Sequence, residues 1–416
     1  FHARQSTESS LVVFDMGGTT AKTSFVDHGH ALTTNEFEVA RTHRLQRGSG
    51  LPLRAPVIDM IEVGAGGGSI AGVNRLGLVT VGPESAGASP GPACYGLGGT
   101  NATVTDADLL LGYLSHERFL GGQMPLQPDA AADAIQKAVA GPLGVEVTDA
   151  AWAIHRVVNE SMAAAVRVHS VERGKSLEGY SLFALGGAGP MHACHVAEIL
   201  RARRVVSPAG AGVASAFGFL CSPASFESVR SYYEQLDGVD WRRVEELLTD
   251  MRREGLQLLK DAGCAEDDVH VDYLCDLRYR GQAYEMTVPL PRDFLQQPYR
   301  EVLGAFRKSY TDLFRETPAT PVECLNWRIS LAGPDPRVPQ SEIPPGAHPD
   351  PLEHRQAYFP DHGGYVSTAV FRRADLGAGS LIKGPAVVEE DESTFVLPPA
   401  FDLEIDAAGN LTATRR

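Results

Sequence analysis

The chain has 416 residues, 43% hydrophobic and 21% charged, an ordinary globular composition and long enough for two or three domains with cores of their own. Its formal net charge of −15 argues against nucleic-acid binding, which needs a positive footprint, but not against a phosphate ligand held by backbone N–H groups. Six scattered cysteines with no C-x-x-C pair read as reduced thiols of a cytoplasmic protein, and no apolar run approaches the roughly 20 residues that span a bilayer.

The sequence opens at Phe1 without a methionine and reads as a fragment or a processed piece. Glycosylation-type triplets at Asn101, Asn159 and Asn410 read as chance matches in the absence of a secretion signal. Residues 11–14 form an apolar run ending in Asp15-Met16-Gly17-Gly18-Thr19-Thr20, a strand entering a glycine turn. Strands are predicted over 23–26 and 31–39, with Asp27-His28-Gly29-His30 as the hairpin turn. Residues 57–63 alternate in part and stop at Gly64-Ala65-Gly66-Gly67-Gly68-Ser69. Two short strands around Asn74-Arg75-Leu76-Gly77 precede an irregular Gly-, Pro- and Ser-rich loop over 82–100.

Thr105 is predicted to cap a helix reaching Tyr113, with Asp106 and Asp108 in its first turn, where negative charge suits the helix dipole. A second helix is predicted over 129–140. A third runs from a Thr148 cap to Arg173, with Gly174 as its stop. In it Ala151, Ile154, Val158, Met162, Ala165 and Val168 recur at three and four, which buries one face.

A compact strand over 181–185 runs into Gly186-Gly187-Ala188-Gly189-Pro190 and a helix over 191–200, then a strand over 203–207 and a small-residue helix over 212–220. Beyond 222 the texture changes to an α+β segment. It has strands over 226–234, 269–279, 283–288 and 323–331 and helices over 240–262 and 298–314. Residues 333–354 read as a Pro-rich linker, and the remainder as all-β. The expected segments are therefore 1–222, 223–333 and 334–416.

Two turns carry the chemistry. Asp15 beside Gly17, Gly18, Thr19 and Thr20 offers packed N–H donors, two hydroxyls and a carboxylate, which suit a phosphate chain and a Mg²⁺ held by Asp15 through water. A plain glycine hairpin is the competing reading. In the second turn, Gly186, Gly187 and Gly189 let a base or sugar lie on the backbone, and the helix start at Pro190 favours an anion. A tight strand-to-helix connection is the alternative there. His192 and His195 share one helix face without an evident third metal ligand, so a packed histidine competes with a metal or nucleotide contact. Asp59, Asp106 and Asp108 are acidic candidates near glycine loops, and Asp106 equally suits its helix N-terminus.

In this order and separation the two turns resemble the second phosphate loop and the adenosine loop of the actin-like ATPase (ribonuclease H-like) α/β fold. Phe14 to Lys22, Gly64 to Ala71, Gly82 to Gly96, Thr103 to Asp108, Gly186 to His192, Leu277 to Gln282 and Gly384 to Glu389 together resemble the hydantoinase A/oxoprolinase family across nearly the whole chain. The resemblance implies an actin-like lobe, then an α+β segment and a β-rich end. It implies ATP and Mg²⁺ as cofactors, with Asp15, Gly17, Gly18, Thr19, Thr20, Lys22, Gly66, Gly67, Gly68, Gly186, Gly187 and Gly189 around the nucleotide. Asp15, His192 and Asp59 are the catalytic candidates. The activity implied is ATP-dependent opening of a cyclic amide (hydantoin or oxoproline type) through a phosphorylated intermediate. A ketone carboxylase subunit and a non-catalytic nucleotide-binding subunit are the alternatives. A hydantoinase B-like partner and an upstream lobe bearing the first phosphate loop are also implied, and without that lobe the isolated chain is expected to be inactive.

Overall fold

The structure, a computed structural model, describes residues 10–39, 48–314, 318–336, 342–346 and 350–416. They form two compact units, Phe1–Gly218 together with Pro339–Arg416, and Phe219–Val338.

The first unit is built on a mixed sheet. Strands β1 (Leu11–Met16), β2 (Ala21–Asp27) and β3 (Met60–Val63) are antiparallel neighbours. In β1, Val12, Phe14 and Met16 are buried, the period-2 pattern of a strand with one face on the core. Helices α1 (Val104–Leu110) and α2 (Val147–Glu172) intervene before β4 (Ser181–Leu185), which lies parallel to β1. Helix α3 (Gly189–Leu200) then leads to β5 (Arg204–Ser207), parallel to β4. The order is thus β3-β2-β1-β4-β5. The first four residues of β4 are all buried, as expected of a parallel strand covered on both faces.

The C-terminal part departs from the expected three-segment division, because residues 339–416 belong to this first unit. Strands β6 (Glu353–Phe359), β7 (Gly364–Arg372), β9 (Ala386–Glu389) and β10 (Thr394–Leu397) make a second sheet. Strands β8 (Leu381–Lys383), β11 (Phe401–Ile405) and β12 (Leu411–Arg415) continue the main sheet, with β12 antiparallel to β5. The physical reason is twofold. The β5 edge would otherwise present unpaired N–H and C=O groups, and Phe371, Val387, Phe395 and Phe401 share one apolar core with Phe14, Val158 and Val196. The unit boundary falls at 218/219 rather than at 222. The described parts of the predicted 333–354 linker carry only an isolated bridge, Pro345 to Ala378, before β6 begins at Glu353. Residues 337–341 and 347–349 of that prediction lie outside the described residues.

Helix starts also differ. Thr103, not Thr105, caps α1: its hydroxyl accepts from Asp106 N–H (3.3 Å), and the Asp106 carboxylate accepts from Thr103 N–H (2.9 Å). This reciprocal capping box satisfies two orphan donors. Helix α2 begins at Val147 with no side-chain cap, so Thr148 lies inside its first turn. The predicted helix over 129–140 is α-helical over Pro128–Ile135 and π-helical over Gln136–Ala140.

The second unit has a four-stranded antiparallel sheet in the order Ser225–Gln235, Val322–Ala332, His270–Tyr279, Met286–Leu290. Helix Trp241–Asp261 is capped by Asp240, which accepts from Arg242 N–H (3.1 Å) and Arg243 N–H (3.4 Å). It buries Val244, Leu248, Met251 and Leu259, and helix Pro298–Phe314 buries Val302 and Phe306. All six join Trp327 and Leu331 in one core. Among the described residues no helix is long and apolar enough to cross a membrane.

Candidate functional site

The Asp15 turn joins β1 to β2. Gly17 N–H donates to Thr20 C=O (3.1 Å), which closes the turn, and Gly18 and Thr19 stay exposed. The loop after β3 docks beneath it: Gly67 N–H donates to Gly17 C=O (3.0 Å) and Gly68 N–H to Gly18 C=O (2.7 Å). A Cβ on Gly66 would stand 2.6 Å from Thr19 N, so only glycine permits this approach. Helix α1 fixes the loop in turn, its Thr105 N–H and hydroxyl both donating to Gly67 C=O at 2.8 and 2.9 Å.

The Gly186 turn lies against the first one. Ala188 N–H donates to Met16 C=O (3.0 Å), and Gly186 has φ +83°. Asp15, at the end of β1, accepts a hydrogen bond from Ser215 Oγ (3.0 Å). Both turns leave the carboxyl ends of the neighbouring parallel strands β1 and β4, the position where open α/β sheets hold ligands.

A cavity of about 180 Å³ opens there. Gly17, Gly18, Gly67, Thr105, Gly187 and Ala188 form one side; Tyr95, Leu114, Phe119, Leu120 and Met191 give apolar wall; residues 389–394 and Arg118 complete it. Arg118 donates from Nε to Glu389 (2.7 Å) and is also paired with Glu353. Glu389 is held from its other side by Arg355 (2.6 Å). Burial pushes the Tyr95 phenol up to about 12, so it remains neutral near pH 7.

Residues 1–227 match the family model for hydantoinase/oxoprolinase, and residues 238–411 match its C-terminal domain. The chain belongs to the hydantoinase/oxoprolinase family. It is 33% identical to the caprolactamase alpha subunit of Pseudomonas jessenii over 416 residues, 97% of this chain and 58% of that one. It is 36% identical to the acetophenone carboxylase gamma subunit of Aromatoleum aromaticum over 375 residues, 85% of this chain and 50% of that one. The crystal structure of the P. jessenii ATP-dependent caprolactamase superposes with a TM-score of 0.76 at 32% identity. Nucleotide-free acetone carboxylase superposes with a TM-score of 0.81 at 24% identity, and shares the fold. Each superposition covers 98% of this chain and 59% of the other. The chain thus spans about half to three-fifths of the length of these relatives.

Around this cavity the predicted residues separate. Gly17, Gly18, Gly67 and Gly187 line the cavity. Gly66, Gly67 and Gly68 spend their N–H groups on Ser69 Oγ (2.9 Å) and on the Asp15 turn, so they support that turn rather than donate to a ligand. Lys22 donates to Thr20 Oγ1 (3.1 Å), pairs with Glu62 (3.5 Å) and does not line the cavity. Gly186 and Gly189 pack on Met16. Asp106 is structural: besides capping α1 it accepts from Cys94 N–H (2.7 Å) and Ala93 N–H (3.3 Å), which pins the 82–100 loop.

Asp59 does not line this cavity. It accepts from Arg173 (2.7 Å) at the end of α2 and sits 3.4 Å from His169 Nε2. Burial works to raise its pKa, but the hydrogen bonds of His169 and Arg173 and their charges hold it below 3.8. The resulting stability is fully present above pH 3.8 and is lost as pH falls through the lowered folded value. Asp59→Asn is expected to cost about 1–3 kcal/mol in denaturant unfolding, without reducing turnover per folded molecule. Lost turnover in a stable variant would return Asp59 to the catalytic candidates.

His192 is likewise absent from the cavity wall. It is fully buried, with Nδ1 2.8 Å from Asn159 Oδ1 and Nε2 3.2 Å from Asp108 Oδ2. His155 on α2 contacts Asp108 Oδ1 (2.7 Å) through Nδ1 and His195 Nδ1 (3.1 Å) through Nε2. His155 and Asn159 carried no expected role, although both interrupt the apolar face of α2. Asn159 is buried, which excludes glycosylation there. Arg118 and residues 389–394 were also missed, because only the folded C-terminal sheet brings them to the glycine turns.

Proposed function

We propose that this chain is the nucleotide-binding part of an ATP-dependent enzyme that activates a cyclic amide by phosphoryl transfer to its oxygen, after which water opens the ring. The observation that carries the reading is the meeting of two glycine turns at the ends of parallel strands. Asp15 stands beside the exposed Gly18-Thr19 backbone, and Ala188 N–H is tied to Met16 C=O at 3.0 Å. The β3-β2-β1-β4-β5 order supports an actin-like ATPase lobe. On this reading the exposed Gly18 and Thr19 N–H groups and the Thr19 and Thr20 hydroxyls hold phosphate oxygens, with Gly17 N–H closing the turn (3.1 Å to Thr20 C=O); Asp15 holds Mg²⁺ through water, and the Gly186–Gly189 turn carries the adenosine. Positioning and charge neutralisation are what phosphoryl transfer asks of a protein.

The cavity of about 180 Å³ falls below the roughly 300–1,000 Å³ usual for small-molecule pockets, which supports a site finished by a further lobe and by a B-type partner subunit. Residues 1–416 alone are therefore expected to show no measurable ATP hydrolysis. Likeness to the caprolactamase alpha subunit along 97% of the chain favours the amide reading. The 36% identity to an acetophenone carboxylase subunit keeps ketone carboxylation as the second. The deciding experiment measures phosphate release by the full-length protein with its partner subunit, offering lactams and hydantoins against ketones plus bicarbonate. Stimulation by ketone and bicarbonate alone would replace the amide reading. ATP bound but never turned over with any substrate would leave a nucleotide-binding subunit only.

A further inference from the structure

Behind the cavity, α1, α2 and α3 bring together side chains that the proposed reaction does not use. Asp108, His155 and His192 are completely buried, and one donor atom from each lies within 4.8 Å of the other two. Asn159 Oδ1, an amide oxygen, only accepts, so the 2.8 Å contact places the proton of His192 on Nδ1. The other ring nitrogen of His192, Nε2, sits 3.2 Å from Asp108 Oδ2. Among the described residues neither atom has a hydrogen-bond partner. Two polar atoms held out of water without a hydrogen-bond partner cost free energy, which a cation joining them would offset.

We propose that Asp108, His155 and His192 bind a divalent transition metal of the zinc type, which clamps α1, α2 and α3 together. Two imidazoles and a carboxylate suit Zn²⁺ or Co²⁺ far better than Mg²⁺ or Ca²⁺. Bonds of about 2.0–2.2 Å set tetrahedral ligand atoms roughly 3.3–3.5 Å apart; His192 Nε2 lies 3.2 Å and His155 Nδ1 2.7 Å from the Asp108 carboxylate, with the three donor atoms all within 4.8 Å of one another, so an ion would be seated by a small withdrawal of His155.

The outer contacts fit as well. A ligating histidine normally gives its other ring N–H to an acceptor. His192 Nδ1–H does so to Asn159 Oδ1, and His155 Nε2–H would do so to His195 Nδ1, 3.1 Å away. Metal binding requires His155 to move its proton from Nδ1 to Nε2, and His195 to move its own from Nδ1 to Nε2. The pair changes tautomer with no net proton released.

The test uses the full-length protein, stripped with a chelator and titrated with Co²⁺ under excess Mg²⁺. The expected result is a visible d–d absorption that saturates at one ion per chain and is displaced by Zn²⁺. Two hyperfine-shifted exchangeable imidazole N–H signals should accompany it, one for each ligating histidine. His192→Gln should lower Co²⁺ affinity at least 100-fold. His192→Cys keeps a ligand in place and should move the spectrum to sulfur-to-cobalt charge transfer. A folded, stripped wild type that shows no d–d band overturns the proposal and leaves a buried Asp108–His192 ion pair only. A band that His192→Cys does not change, in a folded variant, overturns it too, because the ion then sits elsewhere.

Discussion

Asp15→Asn in the full-length protein is expected to lower ATP turnover by about 100-fold or more at saturating Mg²⁺ while leaving the fold intact. Asparagine keeps the shape of the side chain, and its amide oxygen can still accept from Ser215, the group that donates to Asp15 at 3.0 Å. What it removes is the charge that would orient the waters of a phosphate-bound Mg²⁺. The neighbouring backbone hydrogen bonds, from Gly17 N–H to Thr20 C=O and from Gly67 N–H to Gly17 C=O, do not involve the carboxylate. Thermal unfolding should therefore change little. Phosphate release measured across a Mg²⁺ series is the check. A variant with wild-type turnover and wild-type Mg²⁺ dependence would remove Asp15 from the metal side of the site and would undo the phosphate assignment with it.

Much of the first unit was legible in the sequence because its signals are local. The apolar run before Asp15, the glycine turn after it and the strand-turn-helix around Gly186 each declare themselves within ten or so residues. In the second unit, the helix expected over about 298–314 is found at Pro298–Phe314, and its apolar positions repeat at helical spacing. Long-range pairing was not legible. Nothing in residues 381–415 says that β8, β11 and β12 extend a sheet begun at Leu11, since the alternation of β11 and β12 would fit any sheet. The same limit hid Arg118 and residues 389–394 from the site. It also hid the partners of His192, since Asp108, His155 and Asn159 come from two other helices. Asp59 lies outside the cavity wall for a different reason. Proximity to a glycine loop along the chain suggested chemistry, but the side chain instead meets Arg173, 114 positions away.

Gly186 and Gly187 are adjacent, yet substitution is expected to separate their roles sharply. Gly186 has φ +83°, and a Cβ on it would stand 2.3 Å from Met16 C=O and 2.5 Å from Asp15 Oδ1. Left-handed backbone costs a non-glycine residue about 1–2 kcal/mol, and forcing an atom into that backbone contact adds about 1–3 kcal/mol. Gly186→Ala should therefore destabilise the protein markedly and push Asp15 out of place, with ATP affinity falling alongside. Gly187 differs: its φ is not left-handed, and the nearest atom to an added Cβ is Glu392 O at 3.2 Å. Gly187 lines the cavity as well. Gly187→Val should fold close to normally, yet weaken ATP binding by about 1–3 kcal/mol, roughly 5- to 150-fold in Kd. Denaturant unfolding and calorimetric ATP titration on the two full-length variants separate the cases. If Gly187→Val binds ATP as the wild type does, the Gly186–Gly189 turn is a structural connection and the adenosine must lie elsewhere. If Gly186→Ala is as stable as the wild type, the contact between this turn and the end of β1 is looser than 2.3 Å allows. Asp15 would then lose the support that holds it beside the Gly18-Thr19 backbone.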